Sequence, residues 1–195
     1  MTSTTPRAPG RPRSQELDAA ILGAALELLI EYGAGQTSIE QVAQRAGVTR
    51  ATVYRRFADK TALLVHAIES VHSDHAPGAL FWPDVDRMLD DWAEYLSHPR
   101  SRRMLRRLYA TVDDYPELLQ AYRNANGGRR AAAVRDTLTR ARADGRLPES
   151  VDVEVLQQIL NGAILHHLGT YPDSDGVREI RTYLAGVLQH LGYRP

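Results

Sequence analysis

Apolar residues recur every three to four positions along most of the chain, the spacing that places them on one face of an α-helix. The first series predicts a helix over residues 14–32, which Gly33 ends as a left-handed residue. Its members are Leu17, Ile21, Ala24, Leu28 and Tyr32. A later series predicts a helix that begins at Asp59 and stops before Pro77, and further helices follow it. The pattern therefore predicts an all-α chain of about nine helices.

Residues 37–60 contain two such helices, both short and joined by a tight turn. The first begins with Thr37 or Ser38 as its N-cap, and its apolar face consists of Ile39, Val42, Ala43 and Ala46. Gly47 ends it, and Thr49 caps a second helix that runs from Arg50 to about Phe57. Two short helices this close must cross steeply. We therefore predict a helix-turn-helix, the arrangement that places its second helix in the major groove of DNA.

The charge of this segment differs from that of the whole chain. Basic and acidic residues balance overall, at 24 each, but between Arg45 and Lys60 five cations stand against Asp59 alone. With Val48, Val53 and Phe57 as apolar anchors, the side chains left to point outward are Arg50, Thr52, Tyr54, Arg55 and Arg56. These residue types bind guanine edges, thymine methyl groups and phosphates. A charge cluster alone is also typical of a solvated helix face, but the capped helix-glycine-helix spacing favours DNA binding.

The run from Leu17 to His66 resembles the DNA-binding domain of TetR-type transcriptional regulators. It carries the pattern T-S-I-x-x-V-A-x-x-A-G-V-T-x-x-T-V-Y-x-x-F-x-D-K and covers roughly the first third of the chain. The resemblance implies base and backbone contacts from Arg50, Ala51, Thr52, Tyr54, Arg55 and Arg56. It implies phosphate contacts from Thr37, Ser38 and Lys60, and Thr49 completes the predicted DNA surface. Many relatives carry an aromatic residue or His at positions 55 and 56, so the operator sequence does not transfer to this chain.

We divide the chain into four parts. They are a disordered basic arm at residues 1–13, a helix-turn-helix DNA-binding domain at 14–58, a linking helix at 59–76, and a ligand-sensing and dimerisation domain at 77–195. Pro and Gly punctuate the arm, which either reaches a phosphate or the minor groove through its arginines or is an inert tail. Because the linking helix starts in the DNA-binding head and ends in the remaining chain, a rotation at its far end would move the head.

Large aromatic and sulfur-containing side chains concentrate between Phe81 and Tyr122. In a helical domain such a cluster is usually core, yet an aromatic-lined cavity with a few polar groups is also how small-molecule sites look. TetR-like proteins commonly hold an inducer in this part of the chain, and that resemblance favours a ligand pocket. Its candidate lining residues are Trp82, Met88, Trp92, Met104, Leu108, Tyr109, Tyr122 and His166.

The same region contains two helices of opposite charge and one helix with a weak point. Residues 84–97 are acidic and residues 100–113 are rich in Arg, so we expect these helices to pair with each other. A second nucleic-acid surface on the arginine helix is the alternative. The helix that starts at Pro116 contains Asn126-Gly127-Gly128, which predicts a kink or break there.

The last two helices, predicted near residues 152–171 and 175–192, carry more apolar surface than a single core-facing stripe requires. One part of that surface can face the protein's own core, and the other part must face a partner. Two such helices from each of two subunits would form a four-helix interface. Its candidate residues are Val155, Ile159, Leu160, Ala163, Leu184, Val187, Leu188 and Leu191.

We interpret the chain as a ligand-responsive transcriptional regulator, most simply a repressor, which binds a near-palindromic operator as a homodimer and is released by a small-molecule inducer. We predict no metal and no cofactor, and the absence of Cys, of a signal-peptide core and of a membrane-spanning run favours a cytoplasmic protein. One alternative is an all-α enzyme, but the chain has no Gly-rich phosphate loop, no paired His-Glu zinc motif and no Cys nucleophile. The other is a ligand-blind architectural DNA protein, which would need a basic surface beyond the head, whereas acidic residues outnumber basic ones over residues 61–195.

Overall fold

The computed structural model describes residues 12–73 and 80–195, and across these ranges it is helical with no strand. The helices are α1 (Pro12–Tyr32), α2 (Ile39–Arg45), α3 (Arg50–Tyr54), α4 (Lys60–Ser73), α5 (Val85–Ser97), α6 (Pro99–Tyr109), α7 (Pro116–Tyr122), α8 (Gly128–Ala143), α9 (Val153–Thr170) and α10 (Val177–His190). A π-helical segment, Arg123–Gly127, joins α7 to α8 at the predicted break. The all-α prediction is confirmed, whereas residues 1–11 of the predicted arm and 74–76 of the predicted linking helix lie outside the described residues.

Two hydrophobic cores organise the ten described helices. The first lies among α1, α2, α3 and α4 and is completed by residues from α6 and α7, namely Met104, Leu108, Leu118, Leu119 and Ala121. The second lies among α5, α8, α9 and α10, with Leu105 of α6 and two residues near the connections, Leu147 and Tyr193. Helix α6 therefore contributes to both cores, and the first core crosses the predicted domain boundary at residue 77.

None of the ion pairs among the described residues joins the arginine helix α6 to the acidic helix α5, contrary to the expectation from sequence. Arg100 pairs with Glu27 of α1 at 2.5 Å, and Arg102 and Arg106 both bind Asp173 in the α9–α10 connection. The acidic side chains of α5 bind α10 instead, since Arg181 reaches Asp90 at 2.5 Å and Asp86 at 2.9 Å. The acidic helix α5 packs most extensively on α10 rather than on its neighbour in the chain, so its carboxylates meet the arginine of α10. Three arginines of α6 therefore form ion pairs with other parts of the protein.

A buried polar network links α6 to the end of α9. Arg102 is fully buried and donates to Asp173 Oδ1 at 2.9 Å, to the Tyr171 carbonyl at 3.1 Å and to His167 Nδ1 at 3.1 Å. Because a guanidinium group can only donate, His167 Nδ1 must act as the acceptor, so the imidazole is neutral and its proton lies on Nε2. Nε2 lies 3.3 Å from a carboxylate oxygen of Asp175 but is not aligned for a hydrogen bond with it. Burial and then Arg102 lower the pKa of His167 below its ordinary value.

Two structural features are absent from the described residues. None of the helices in the described ranges is long and apolar enough to cross a membrane. Across the same residues no three His, Cys, Asp or Glu side chains come close enough together to hold a metal ion.

The depressed pKa of His167 predicts a specific pH dependence of stability. The unfolded chain binds a proton at His167 as the pH falls below about 6.5, whereas the folded chain binds it only at a lower pH, so the free energy of unfolding decreases on acidification from about pH 7 to pH 5. The contribution is about 1.4 kcal/mol for each unit by which folding lowers the pKa. His167→Gln should flatten this dependence, because a glutamine oxygen can accept from Arg102 without titrating. Thermal unfolding at several pH values measures it.

The matched control is His98→Gln, which removes an exposed imidazole that is not among the groups acting on the pKa of His167. It should leave the pH dependence of the melting temperature unchanged. Carboxylates whose pKa is lowered by arginines, such as Asp173, titrate below this window and do not interfere. Equal flattening by both substitutions would contradict the assignment to His167.

Candidate DNA-binding surface and ligand cavity

Local sequence signals fix the α2–α3 pair. Ser38 is the N-cap of α2 and forms a reciprocal capping box with Gln41: its hydroxyl accepts from the Gln41 amide at 3.2 Å, and its own amide donates to the Gln41 side chain at 2.9 Å. Gly47 ends the turn with φ of 67°, a conformation that favours glycine. Thr49 caps α3 by accepting from the Thr52 amide at 3.3 Å. A tight turn of four residues therefore connects α2 to α3.

Helix α3 buries one side and exposes the other. Val53 is fully buried in the first core, and Phe57 is buried just beyond the helix. On the opposite side Thr49, Arg50, Ala51, Tyr54 and Arg55 are all exposed, and Tyr54 keeps 55% of its surface accessible. The predicted helix-turn-helix geometry is thus present, with five of the predicted contact residues on one outward face, which we call the α3 face.

Two contacts on the α3 face orient its arginines. Arg50 donates to Glu40 of α2 at 2.5 Å, and this hydrogen bond lowers the pKa of Glu40. Arg55 donates to the hydroxyl of Thr52 at 3.2 Å, and that hydroxyl also lies 3.0 Å from the hydroxyl of Thr49. Both guanidinium groups remain exposed, so their partners restrict side-chain rotation without removing them from solvent.

Three predicted contact residues lie elsewhere. Thr37 is buried, and its hydroxyl donates to the Gly33 carbonyl at 2.8 Å, so it holds the turn after α1 rather than facing outward. Arg56 is half-buried, pairs with Asp18 of α1 and donates to the Thr52 carbonyl at 3.3 Å. The expected phosphate contact of Thr37 and the expected outward direction of Arg56 do not match this placement, because the Gly33 carbonyl just after α1 and the Asp18 carboxylate of α1 offer these groups internal partners.

Lys60 is the third of these residues and the clearest correction. It was expected at the phosphate backbone, but its ammonium group donates to the Ala34 carbonyl at 3.0 Å and to the Tyr115 hydroxyl at 3.2 Å, and lies 4.9 Å from the Tyr115 ring centre. Tyr115 precedes α7, so Lys60 joins the start of α4 both to the turn after α1 and to the second half of the chain. Arg107 of α6 adds to this junction by donating to the Glu31 carbonyl at 2.9 Å, at the end of α1.

A cavity of about 290 Å³ lies between α5, α6, α7, α8 and α9. Its aromatic lining consists of Trp92, Tyr95, Tyr109 and Tyr122, and its polar lining of Arg123, Arg130, Gln157 and Asn161. Leu96, Leu105, Ala131, Val134 and Ile164 complete the wall. The guanidinium carbon of Arg130 lies 5.6 Å from the ring centre of Trp82, 5.9 Å from that of Trp92 and 5.7 Å from that of Tyr95.

The cavity contains three of the eight predicted pocket residues, Trp92, Tyr109 and Tyr122. The other predicted residues do not line it: Trp82 and Met88 are buried in the second core, Met104 and Leu108 in the first, and His166 is exposed on α9. The indole nitrogen of Trp82 donates to Asp91 at 2.6 Å, so its polar atom has a partner while the ring is buried in the core. Helical spacing could have identified Tyr95 and Leu96, since they follow Trp92 by three and four positions. No sequence signal pointed to Arg130 or Gln157.

The predicted interface residues of α9 and α10 divide into two groups. Leu160, Leu184 and Leu188 are fully buried in the second core and cannot face a partner, so these three expectations were wrong. Val155 and Ile159 are 49% and 41% exposed, and Ala163, Val187 and Leu191 are half-buried. Ile159, Val187 and Leu191 line a shallow groove between the two helices. We call this partly exposed set, with Gly162 and Gly186 beside it, the α9–α10 face.

Comparison with known protein families gives a consistent result. The family model described as "Bacterial regulatory proteins, tetR family" matches residues 21–67. The model described as "Tetracyclin repressor-like, C-terminal domain" matches residues 80–182, which is more than half of the chain. The first match contains α2 and α3, and the second contains most of the residues that line the cavity.

Individual relatives agree with these matches. The uncharacterized HTH-type transcriptional regulator YdeS of Bacillus subtilis (strain 168) is 27% identical over 165 residues, which cover 82% of this chain and 81% of that protein. The probable HTH-type transcriptional regulator ArpR of Pseudomonas putida is 29% identical over 164 residues, 74% of each. Among solved structures, Salmonella enterica GusR has a TM-score of 0.72 at 19% identity, covering 94% of this chain and 97% of that one.

A putative transcriptional regulator from Saccharomonospora viridis, solved in complex with choline, has a TM-score of 0.70 at 18% identity. That likeness covers 93% of this chain and 100% of that one. At such identities the solved structures show that the fold is shared.

The placement of Arg55 and Lys60 predicts different effects on DNA binding. Arg55→Ala should weaken binding to the preferred sequence by about 1–3 kcal/mol and relax its specificity, because an exposed guanidinium is lost from the α3 face. Lys60→Met should leave the salt dependence of DNA binding unchanged and lower the melting temperature, because it removes the junction with Ala34 and Tyr115. Fluorescence anisotropy on a sequence selected from random oligonucleotides, at several salt concentrations, measures both.

A loss of about one from the slope of log affinity against log salt in Lys60→Met would show that Lys60 contacts a phosphate. Such a loss would contradict the internal placement of Lys60. Tyr115→Phe serves as the matched control at the junction, since it removes the hydroxyl partner of Lys60 and keeps the ring.

Proposed function

This chain belongs to the TetR family of transcriptional regulators, and from that premise we propose that it binds a near-palindromic operator as a homodimer and is released from it by a small-molecule effector. The TetR family consists of DNA-binding regulators and not of enzymes. The single observation that carries the proposal is the α3 face, which presents Arg50, Tyr54 and Arg55 outward from a buried core.

The residues we assign to DNA are those on the α3 face, the partly exposed Thr52 beside them, and Ser38 at the start of α2. Arg50, Thr52 and Arg55 supply donors for base edges, and Tyr54 and Ser38 supply hydroxyl groups for phosphates. Thr49 and Ala51 bring the backbone close to the groove, because their side chains are small and exposed. The carboxylate of Glu40 holds Arg50 in the free protein, so DNA must compete for that guanidinium group.

Helices α6 and α7 supply the connection from cavity to head. Leu105 and Tyr109 line the cavity, while Leu108 on the same helix is buried in the first core. On α7, Tyr122 lines the cavity, and the preceding Tyr115 accepts from Lys60 at the start of α4. An effector that favours one arrangement of these helices shifts the spacing of the two α3 faces in a dimer. Its differential affinity sets the size of the effect, about 1–3 kcal/mol for such couplings.

Support for an effector comes from the cavity and from one fold relative. The cavity has the mixed aromatic and polar lining of a small-molecule site, at the lower end of the usual volume range. The Saccharomonospora viridis regulator was solved in complex with choline, a small molecule. A regulator of transcription works where the DNA is, so we assign this protein to the cytoplasm.

The α9–α10 face supports the homodimer. Exposed Val155 and Ile159 and the adjacent groove give an apolar strip, and Gly162 and Gly186 have no atom near the position of an added Cβ, which leaves room for close helix approach. A twofold pair of heads spans two half-sites about 34–36 Å apart, whereas one head contacts a single half-site. Dimerisation and operator symmetry are therefore linked.

The decisive experiment is a genome-wide DNA pull-down with the purified protein. Wild type should enrich a small set of sites that share an inverted repeat, whereas a variant with both Arg50→Ala and Arg55→Ala should lose that enrichment and keep the wild-type melting temperature. Enrichment of direct rather than inverted repeats would contradict the twofold dimer. The same sites recovered equally by both proteins would contradict the assignment of the α3 face.

The homodimer is tested by a pair of matched valines. Val155→Glu should shift the protein from dimer to monomer, because it places a charge on the α9–α10 face. Val112→Glu is the control, since Val112 is 50% exposed in the α6–α7 connection and Val155 is 49% exposed on α9. Sedimentation equilibrium measures the association constant. Unchanged dimerisation in Val155→Glu would assign the interface to another surface.

A further inference from the structure

We propose that the cavity selects a small organic anion with a flat apolar body, and that the carboxylate or comparable anionic group of this ligand pairs with Arg130. The inference rests on the proposed function, in which the cavity is the effector site. It adds the chemical class of the effector, which the family relationship leaves open. The charge of the lining, the position of Arg130 and the chemistry of the walls carry it, and each points to the same class.

The charge of the cavity has one sign. Of the described residues that line it, Arg123 and Arg130 are cationic, and none carries a carboxylate. Arg130 has no ion-pair partner among the described residues, in contrast to Arg102, Arg106 and Arg181, which each pair with an aspartate. A half-buried cation without a counter-charge has lost part of its hydration. An anion that enters the cavity can replace that lost hydration by pairing with the guanidinium group.

Three aromatic rings hold Arg130 in position without neutralising it. Its guanidinium carbon lies between 5.6 and 5.9 Å from the ring centres of Trp82, Trp92 and Tyr95, within the range of cation–π attraction. Ring quadrupoles attract the cation but contribute no net charge. The guanidinium group is therefore pre-oriented, and it still offers planar paired donors that match the two oxygens of a carboxylate.

The remaining polar groups of the cavity lining add no negative charge to it. Gln157 and Asn161 carry neutral amides. Burial, and then the neighbouring Tyr95, raise the pKa of Tyr122, so its phenol stays protonated and uncharged near neutral pH. The lining therefore stays cationic, and an entering anion meets no carboxylate or phenolate there.

The walls define the rest of the ligand. Aromatic faces from Trp92, Tyr95, Tyr109 and Tyr122 alternate with aliphatic side chains, and a volume of about 290 Å³ limits the guest to one small molecule. Flat apolar bodies stack on such rings. A cation would meet repulsion from two arginines, and it would have to displace Arg130 from the rings it occupies.

The test uses probes of one shape and three charges. Benzoate, naphthalene-2-carboxylate and biphenyl-4-carboxylate are each compared with the corresponding neutral carboxamide and cationic carboxamidine. Affinity for the full-length wild-type protein is measured by calorimetry and by Trp fluorescence. We expect at least one carboxylate to bind about tenfold or more tightly than its carboxamide, since charge-assisted hydrogen bonds are stronger than neutral ones, and the amidines to bind most weakly.

Arg130→Met should abolish the preference for carboxylate over carboxamide, because it removes the cation and keeps an apolar side chain of similar length. Arg135→Met is the matched control: it makes the same change on α8 at a residue that does not line the cavity, and it should retain the wild-type preference. Equal affinities for acid and amide, tighter binding of the amidines, or no binding by any carboxylate would each overturn the inference. So would retention of the preference in Arg130→Met.

Operator release is measured separately, by adding the probes to the protein–DNA complex. Carboxylate-selective binding that leaves the affinity for DNA unchanged would support the anion site and contradict effector release. Release of DNA by amides or amidines, but not by carboxylates, would support a sensor and contradict the anion class. The two proposals therefore fail in distinguishable ways.

Discussion

The α3 helix has five residues, far fewer than a helix needs to be stable in water, so its shape depends on the core beneath it. Val53 and Phe57 pack α3 into the core that it shares with α1, α2 and α4. The N-cap residue Thr49 accepts a hydrogen bond from the Thr52 amide in the first turn of α3. Without that core the exposed arginines would be a flexible basic segment. The same packing that stabilises the head is therefore what gives the α3 face a fixed shape for DNA.

The first core also determines how the head relates to the rest of the molecule. It does not stop at the end of α4, because Met104, Leu108 and Leu118 from α6 and α7 belong to it. Polar contacts follow the same path, with Lys60 on Tyr115 and Arg107 on the last carbonyls of α1. A movement of α6 or α7 must change buried contacts in the head, since packed cores rearrange in discrete steps rather than deform continuously.

The second core is built differently. Its helices close around a cavity instead of filling it, and the two tryptophans show the contrast. The indole of Trp82 has a carboxylate partner in Asp91, whereas the buried indole nitrogen of Trp92 has none in the described structure. Natural cores rarely leave such a donor unsatisfied. The cavity is lined by Arg130 of α8 together with residues of α6 and α7, the two helices that also contribute to the first core.

Sequence by itself determined the features that depend on neighbours along the chain. Helical periodicity, the capping residues Ser38 and Thr49, and glycines at 33 and 47 specify the α1–α3 arrangement, because these signals act over one or two turns. The break near residues 126–128 follows from the same kind of signal. The helical fold, the helix-turn-helix and its outward arginines at 50 and 55 could thus be predicted.

Only the tertiary structure decided which partner each long or apolar side chain takes. Lys60 and Arg56 are cationic like Arg55, yet internal carbonyl, hydroxyl and carboxylate groups hold them, and sequence spacing does not reveal those groups. On α9, Leu160 is buried while neighbouring Ile159 is 41% exposed, because the direction of the covering helix selects one side of a wide apolar arc. Local sequence patterns determine which residues share a face of a helix, and long-range packing determines which part of the protein that face contacts.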